Sequence, residues 1–450
     1  MKATSRGALG TGAFAMACLA ALIQPASGSS APITAESHTI ASDQQVSDAY
    51  IYLLGRLLVM RQQQLDFQDG MQWNQLVHRK PGAVDWPNPN LDVAYSEAWV
   101  AADERSCTQV SVPKISGRYY TVQFLNGWGE TLANINERTF SERPDGDFAV
   151  CLQGAKVDLP ASVQRIDLPV RTARVLTRVE LGDDWNKAEQ LQSQFSLRPT
   201  GTPELPPVPK GLVFALNKLP GVEAFEAASL ALQEPDLNPG MQAQQAQVRA
   251  IAEQLRHPDQ RARIDQQIKT QAFTDLARAA PTLGRGVIGN GWVRPAASGA
   301  YGSDYLARTL VDLGGIWANT QQEVNYFRSA LDVDGKVLEG GQSYALTFPG
   351  GQLPSGFARY FWSVTAVNSK TFKVLPNALD RFTLNNQSDL ERNADGSLTL
   401  YFGPKLPHGA PQGNWLPTVA DQSFRLMLRF YGPEGPVAEG KYFPPALVRL

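Results

Sequence analysis

Arg118-Tyr-Tyr-Thr-Val-Gln-Phe-Leu125 is rich in β-branched and aromatic residues and reads as a strand. On its N-terminal side, Gln109-Val-Ser-Val-Pro113 alternates in the same way. On its C-terminal side, Asp145-Gly146 is a turn signal between Thr131–Phe140 and Asp147–Gln153, and Thr172–Leu181 adds another strand. Several short strands separated by Gly and Asp turns predict a β-sandwich.

The flanking segments differ in kind. Val46, Ala49, Tyr50, Leu53, Leu54, Leu57 and Leu58 recur at helical spacing and predict a helix with one apolar stripe from Gln44. Asn74 to Asn90 is polar and Pro-rich, a long loop. Asp184 opens a second helix, with Trp185, Ala188, Leu191 and Phe195 on one side. Pro199 to Pro209 is a linker. Residues 221–280 are rich in Ala and Gln and read as helices broken at Pro235, Pro239 and Pro258, and Tyr301–Leu331 reads as further helix interrupted near Gly314-Gly315. Strand patterns return at Ser343–Phe348, Ala358–Asn368, Leu398–Phe402 and Phe424–Tyr431, with a hairpin turn at Asp395-Gly396. The expected fold class is mostly β with a helical segment. A doubly wound sheet is excluded, because strands and helices do not alternate.

The N-terminus reads as a secretory signal. Lys2 and Arg6 precede an uncharged stretch from Gly7 to Ile23, and Ala26-Ser27-Gly28 suits cleavage after Gly28. The expected organisation is a signal peptide at 1–28 and a flexible mature start at 29–43. An N-terminal sandwich domain with its leading helix follows at 44–182, a helical insert at 183–332, and a C-terminal β domain at 333–450. No later segment spans a membrane, so the mature chain is expected to be periplasmic or secreted, without stable membrane insertion. Two cysteines remain, Cys107 and Cys151, and an exported chain usually oxidises such a pair.

Composition narrows the partners. The 450 residues are 43% hydrophobic, enough for packed cores. With 41 Lys+Arg against 43 Asp+Glu there is no basic excess, which argues against nucleic acid. Four His and three Cys do not supply the usual zinc clusters, and no metal or cofactor is expected. There is no Gly-x-Ser-x-Gly elbow and no phosphate-binding glycine motif. His78 and His408 read as loop histidines, and His257 as the end of a helix. Self-association is left open.

Two constellations carry candidate chemistry. Asn90, Asp92, Tyr95 and Ser96 lie close together, and in an extended strand Asn90 and Asp92 share one face. Asp92 and Tyr95 are the candidate acid–base pair, with Asn90 and Ser96 as ligand-binding partners. The same residues would also serve a structural role, satisfying buried backbone at the start of a strand. Trp362, Asn377, Arg381, Asn414, Trp415 and Tyr431 cluster in the C-terminal domain, and a Trp near Asn and Arg suits carbohydrate or carboxylate recognition. Trp128 joins the ligand-binding candidates. Two functions follow: binding of a polar small molecule, glycan or cell-envelope component through the loops of the β domains, or a metal-independent hydrolase or lyase using Asp/Tyr acid–base chemistry.

A family resemblance rests on ordered stretches from about residue 45 to the end. Pro87-Asn-Pro-Asn-Leu-Asp-Val-Ala-Tyr-Ser96, Gly117–Phe124 and Asp147-Phe148 resemble the bacterial domain of unknown function 1254. Tyr301-Gly302, Asp304-Tyr305 and Asn319 resemble the region between the two domains. Phe361-Trp-Ser-Val-Thr365, Pro376-Asn377, Arg381-Phe382, Asn393–Tyr401, Asn414-Trp-Leu-Pro417 and Phe424–Arg429 resemble its usual partner, domain of unknown function 1214. The resemblance implies an N-terminal immunoglobulin-like sandwich, central helices and a C-terminal jelly-roll-like sandwich. It implies no reaction. Where the family has Asn-Asn-Asp or Asn-Pro-Asp, this chain has Asn90-Leu-Asp92, and Leu91 offers no polar group.

Overall fold

A computed structural model describes residues 41–82, 88–208 and 210–450. The expected signal peptide and nearly all of the expected flexible start lie outside them. The first element is helix α1, Asp43–Gln68. Its start is fixed by a capping box. The Ser42 hydroxyl accepts from the Gln45 amide at 3.2 Å, and the Gln45 side chain accepts from the Ser42 amide at 2.9 Å. The helix is not half-wet, as one stripe implies. Ile51, Tyr52, Arg56 and Val59 are buried as well, so most of it is enclosed on every side.

The N-terminal sandwich follows: β1 Val77–His78, β2 Val93–Ala101, β3 Thr108–Val112, β4 Tyr120–Leu125, β5 Thr131–Ile135, β6 Gly146–Leu152, β7 Gln164–Leu168, β8 Thr172–Glu180 and β9 Ser196–Pro199. Helix α2, Trp185–Gln192, lies between the last two strands and is capped by Asp184. One sheet has the order β1-β2-β8-β4-β5, the other β7-β6-β3-β9. Alternate residues such as Ala94, Val110, Val122, Phe148 and Val175 fill the space between the sheets. Cys107 and Cys151 form a disulfide joining the neighbouring strands β3 and β6.

Short helices wrap α1: α3 Glu223–Glu226, α4 Ala228–Ala231, α5 Met241–Gln254, α6 Pro258–Gln267 and α7 Phe273–Ala279. His257 does not end a helix. It caps α6 with Pro258 in the first turn, where a missing N–H costs nothing.

The C-terminal sandwich begins earlier than its sequence suggests. A hairpin of β10 Val287–Gly289 and β11 Trp292–Arg294 turns on Asn290-Gly291, both at positive φ (53° and 79°). Helix α8, Tyr305–Gly315, follows, but the helix expected to run on to Leu331 stops there. Val324–Ser329 is a strand, β12, alternating inward Phe327 with outward Tyr326 and Arg328. The rest are β13 Tyr344–Phe348, β14 Ala358–Asn368, β15 Thr383–Asn385, β16 Leu398–Gly403, β17 Trp415–Pro417, β18 Phe424–Pro433 and β19 Val448–Arg449, with a short helix α9 at Gly435–Ala438. The sheets run β10-β11-β12-β18-β14-β15 and β17-β16-β13-β19 around a core of Leu346, Trp362, Leu400, Leu428 and Phe430. The domain is not wholly antiparallel, since β16 and β17 pair in parallel.

The outer faces of the two large sheets are turned toward each other. Val93 and Tyr119 of the first domain pack with Val324, Phe361 and Tyr431 of the second. Beside this cluster the faces part and leave a cleft.

Candidate functional site: the cleft between the two sandwiches

The cleft holds about 760 Å³, within the usual range for small-molecule sites. Its walls are the outward residues of β2 and β8, the outward residues of β12 and β18, and the C-terminal end of α8 with the residues that follow it. Much of the lining is apolar, including Leu176, Leu310, Ile316, Trp317 and Met427. The polar part is dominated by arginine.

Arg174 and Arg178 project from the same face of β8. Arg174 is tied by Asp66 at 3.1 Å and Glu97 at 2.8 Å, and it lies over the rings of Trp99 and Trp317. Arg178, only 4% exposed, lies over the Tyr95 ring. It donates to the Gln123 side chain at 2.6 Å and to the Trp317 carbonyl at 2.8 Å. Among the described residues it has no ion-pair partner. Opposite, Arg429 on β18 donates to Thr365 and to the carbonyls of Asn88 and Pro89; among the described residues it has no close ion pair, though its charge reaches the Asp92 carboxyl. Tyr326 is its cross-strand neighbour.

Asp312 on α8 supplies the unusual acid. It is 4% exposed, it lines the cleft, and its Oδ2 has no hydrogen-bond partner. Burial holds its carboxyl well above the usual carboxylate range, with Arg308 opposing and Glu130 reinforcing. Its environment favours the protonated form of the carboxyl over the ionised one.

The expected site residues are divided by the fold. Asn90 and Tyr95 line the cleft, and the Asn90 amide donates to the Tyr431 hydroxyl at 2.5 Å. Asp92 does not share that space. It lines a separate pocket of about 150 Å³ with Glu180, Trp185 and Asn385, and accepts from Asn385 at 2.8 Å. Burial raises its carboxyl above the ordinary value, and the Asn385 bond opposes this. Ser96 points into the first sandwich, wholly buried, 2.8 Å from His78 Nδ1. Trp128 is buried under Arg308, and its indole donates to the Glu234 carbonyl at 3.0 Å.

The C-terminal cluster is not at the cleft either. Trp362 is in the sandwich core. Asn377 bonds the backbone of its own loop, and Arg381 donates to the carbonyls of Gln412 and Trp415. Asn414 joins the backbone of Glu391 and Thr399, and the Trp415 indole donates to Gly403. These groups spend their hydrogen bonds on holding loops to strands. Sequence reasoning missed Arg178, Arg429, Asp312 and Trp317. The only available signal was arginine among aromatic residues on alternate strand positions. Among the described residues, no three His, Cys, Asp or Glu side chains converge as metal ligands.

Comparison with known proteins agrees with this two-part architecture. Residues 73–199 match a protein of unknown function, DUF1254, and residues 323–435 match a protein of unknown function, DUF1214. No curated protein matches the chain. The crystal structure of the VPA0106 protein from Vibrio parahaemolyticus is similar, with a TM-score of 0.62 at 20% identity over 91% of this chain and 99% of that one. An uncharacterized protein from Burkholderia cenocepacia aligns over 91% of this chain and 93% of its own, at 13% identity and a TM-score of 0.44. The chain belongs to the proteins in which a domain of unknown function 1254 is followed by a domain of unknown function 1214.

Proposed function

We propose that this is an exported protein that binds a small organic anion, with an apolar or aromatic body, in the cleft between its two sandwiches. One observation carries the reading. Arg178 is a buried cation that opens on the cleft with no acid to neutralise it among the described residues. A buried guanidinium is expensive to leave uncompensated, and a carboxylate is its natural bidentate partner. Tyr95, Tyr326 and Trp317 supply the surface for an apolar body. The binding function expected from the sequence is kept, but its place moves from the loops of the β domains to the faces of their sheets.

The test is a thermal-shift titration of the purified chain with sodium decanoate and sodium benzoate, using decanol and benzyl alcohol as uncharged controls. At least one acid should raise the melting temperature and its alcohol should not, and Arg178→Gln should abolish the rise. Equal stabilisation of Arg178→Gln, or no response to either acid, overturns the reading.

Export is supported by the Cys107–Cys151 bridge, which suits an oxidising compartment. N-terminal sequencing of the exported chain should start at Ser29. A second reading, acid–base turnover by a hydrolase or lyase, is favoured by the Asp312 carboxyl in the same cleft, which burial holds well above the usual carboxylate range. It replaces the Asp92/Tyr95 pair, whose members line different pockets.

A further inference from the structure

Two further arginines stand at the other end of the cleft wall. Arg328 on β12 and Arg425 on β18 both line it. The register pairs Arg328 with Met427, so Arg425 is its diagonal neighbour on the same face of the sheet. Neither has an ion-pair partner among the described residues. Arg328 donates to the carbonyls of Ala280 and Pro281. Arg425 lies over the Phe372 ring at 4.9 Å, and its buried Nε has no hydrogen-bond partner. Burial, reinforced by the charge of Arg425, pushes the Arg328 guanidinium down to about 10. Two like charges held side by side in a partly buried wall repel each other, and an anion between them removes that cost.

We infer that Arg328 and Arg425 form a second anion seat, so that the ligand of this cleft carries an acid group at each end of an apolar spacer. The inference rests on the reading of Arg178 as the first seat. Arg429 marks the level of that first seat, because it pairs across the sheet with Tyr326, and Tyr326 senses the charge of Arg178. Arg425 lies four residues earlier on β18. At roughly 3.3 Å per residue the two levels are about 13 Å apart. Met427 lies between them on the same face, and Leu313, Ile316 and Trp317 form apolar cleft wall, as a spacer requires. A mono-acid would fill one seat and leave the other two charges unsatisfied.

The experiment is calorimetric titration of the full mature chain with decanoate and with decanedioate at one fixed ionic strength. Wild type should bind the diacid about tenfold more tightly or better, the range expected of one added charge-assisted contact. The double variant Arg328→Gln/Arg425→Gln should bind the two acids alike while keeping its affinity for decanoate within about twofold, since the first seat is untouched. If the double variant does not fold, each single variant should lower the diacid preference by about threefold or more, as removal of one of two donors should. If decanoate binds through Arg178 but the diacid gains nothing, or its gain survives both substitutions, the second seat is overturned and the first stands. If neither acid binds wild type, both fall together.

Discussion

Arg174 and Arg178 are four residues apart on one strand, face the same cleft and are buried under aromatic rings. Their surroundings differ in one respect. Arg174 has two carboxylates, Asp66 and Glu97, and Asp66 also accepts from the Trp99 indole at 2.9 Å. Arg178 has an amide, a carbonyl and a ring, all neutral. A guanidinium whose charge is matched inside the protein is part of the frame. One whose charge is unmatched waits for a counter-charge from outside. The same arginine-rich wall therefore contains a structural end and a receptive end, and burial alone does not separate them.

Substitution should separate the two ends by what is lost. The largest effect is expected at Arg174→Gln. It leaves the buried Asp66 carboxylate without a cation, while Glu97 keeps Arg79, and should lower unfolding free energy by about 3–5 kcal/mol, measured by denaturant unfolding. A loss within 1 kcal/mol would erase the distinction drawn here.

Asp312→Asn should act next, through pH. The folded-state carboxyl is raised, so the folded protein holds the proton more tightly than the unfolded chain. Its contribution is then fully present below the unfolded value near 4 and is lost as pH rises toward the folded value. Asn carries no charge at any pH. The variant should lose less stability than wild type between pH 5 and 8, as read from melting temperatures across that range. Parallel pH profiles would show that Asp312 is ionised in the fold. Glu130, Arg308 and Tyr301, the other titratable groups around it, remain in both proteins.

Arg178→Gln should have the smallest effect on stability, about 1 kcal/mol or less in denaturant unfolding. Gln removes an unmatched charge and still offers an amide to Gln123 or the Trp317 carbonyl. A loss as large as that of Arg174→Gln would make the two arginines equivalent and structural.

Much of the frame was legible in the sequence. The first helix, expected from Gln44 and found from Asp43, the strands around Tyr120 and Thr172, and the neighbouring cysteines follow from periodicity and turn residues. The Asn290-Gly291 hairpin was legible too but was absorbed into the helical reading of its neighbourhood. Strand β12 was masked because Val324–Ser329 is short and follows a true amphipathic helix. The site was hidden for a different reason. Thr172-Ala-Arg-Val-Leu-Thr-Arg-Val-Glu180 alternates as a sheet with one wet face does, so its arginines read as solvated. Only the packing of one sheet face against another makes that face an interior. The aromatic and amide residues that looked like recognition groups, Trp362, Asn414 and Trp415, are tied to their own chain.

The most direct test is a crystal structure of the protein soaked with 4-bromobenzoate, with the bromine located by its anomalous signal. The account predicts the acid inside the cleft, its carboxylate within about 3 Å of the Arg178 guanidinium and its ring against the apolar wall. An acid bound elsewhere, or a cleft still empty at saturating concentration while Arg178 keeps only its bonds to Gln123 and Trp317, would contradict it.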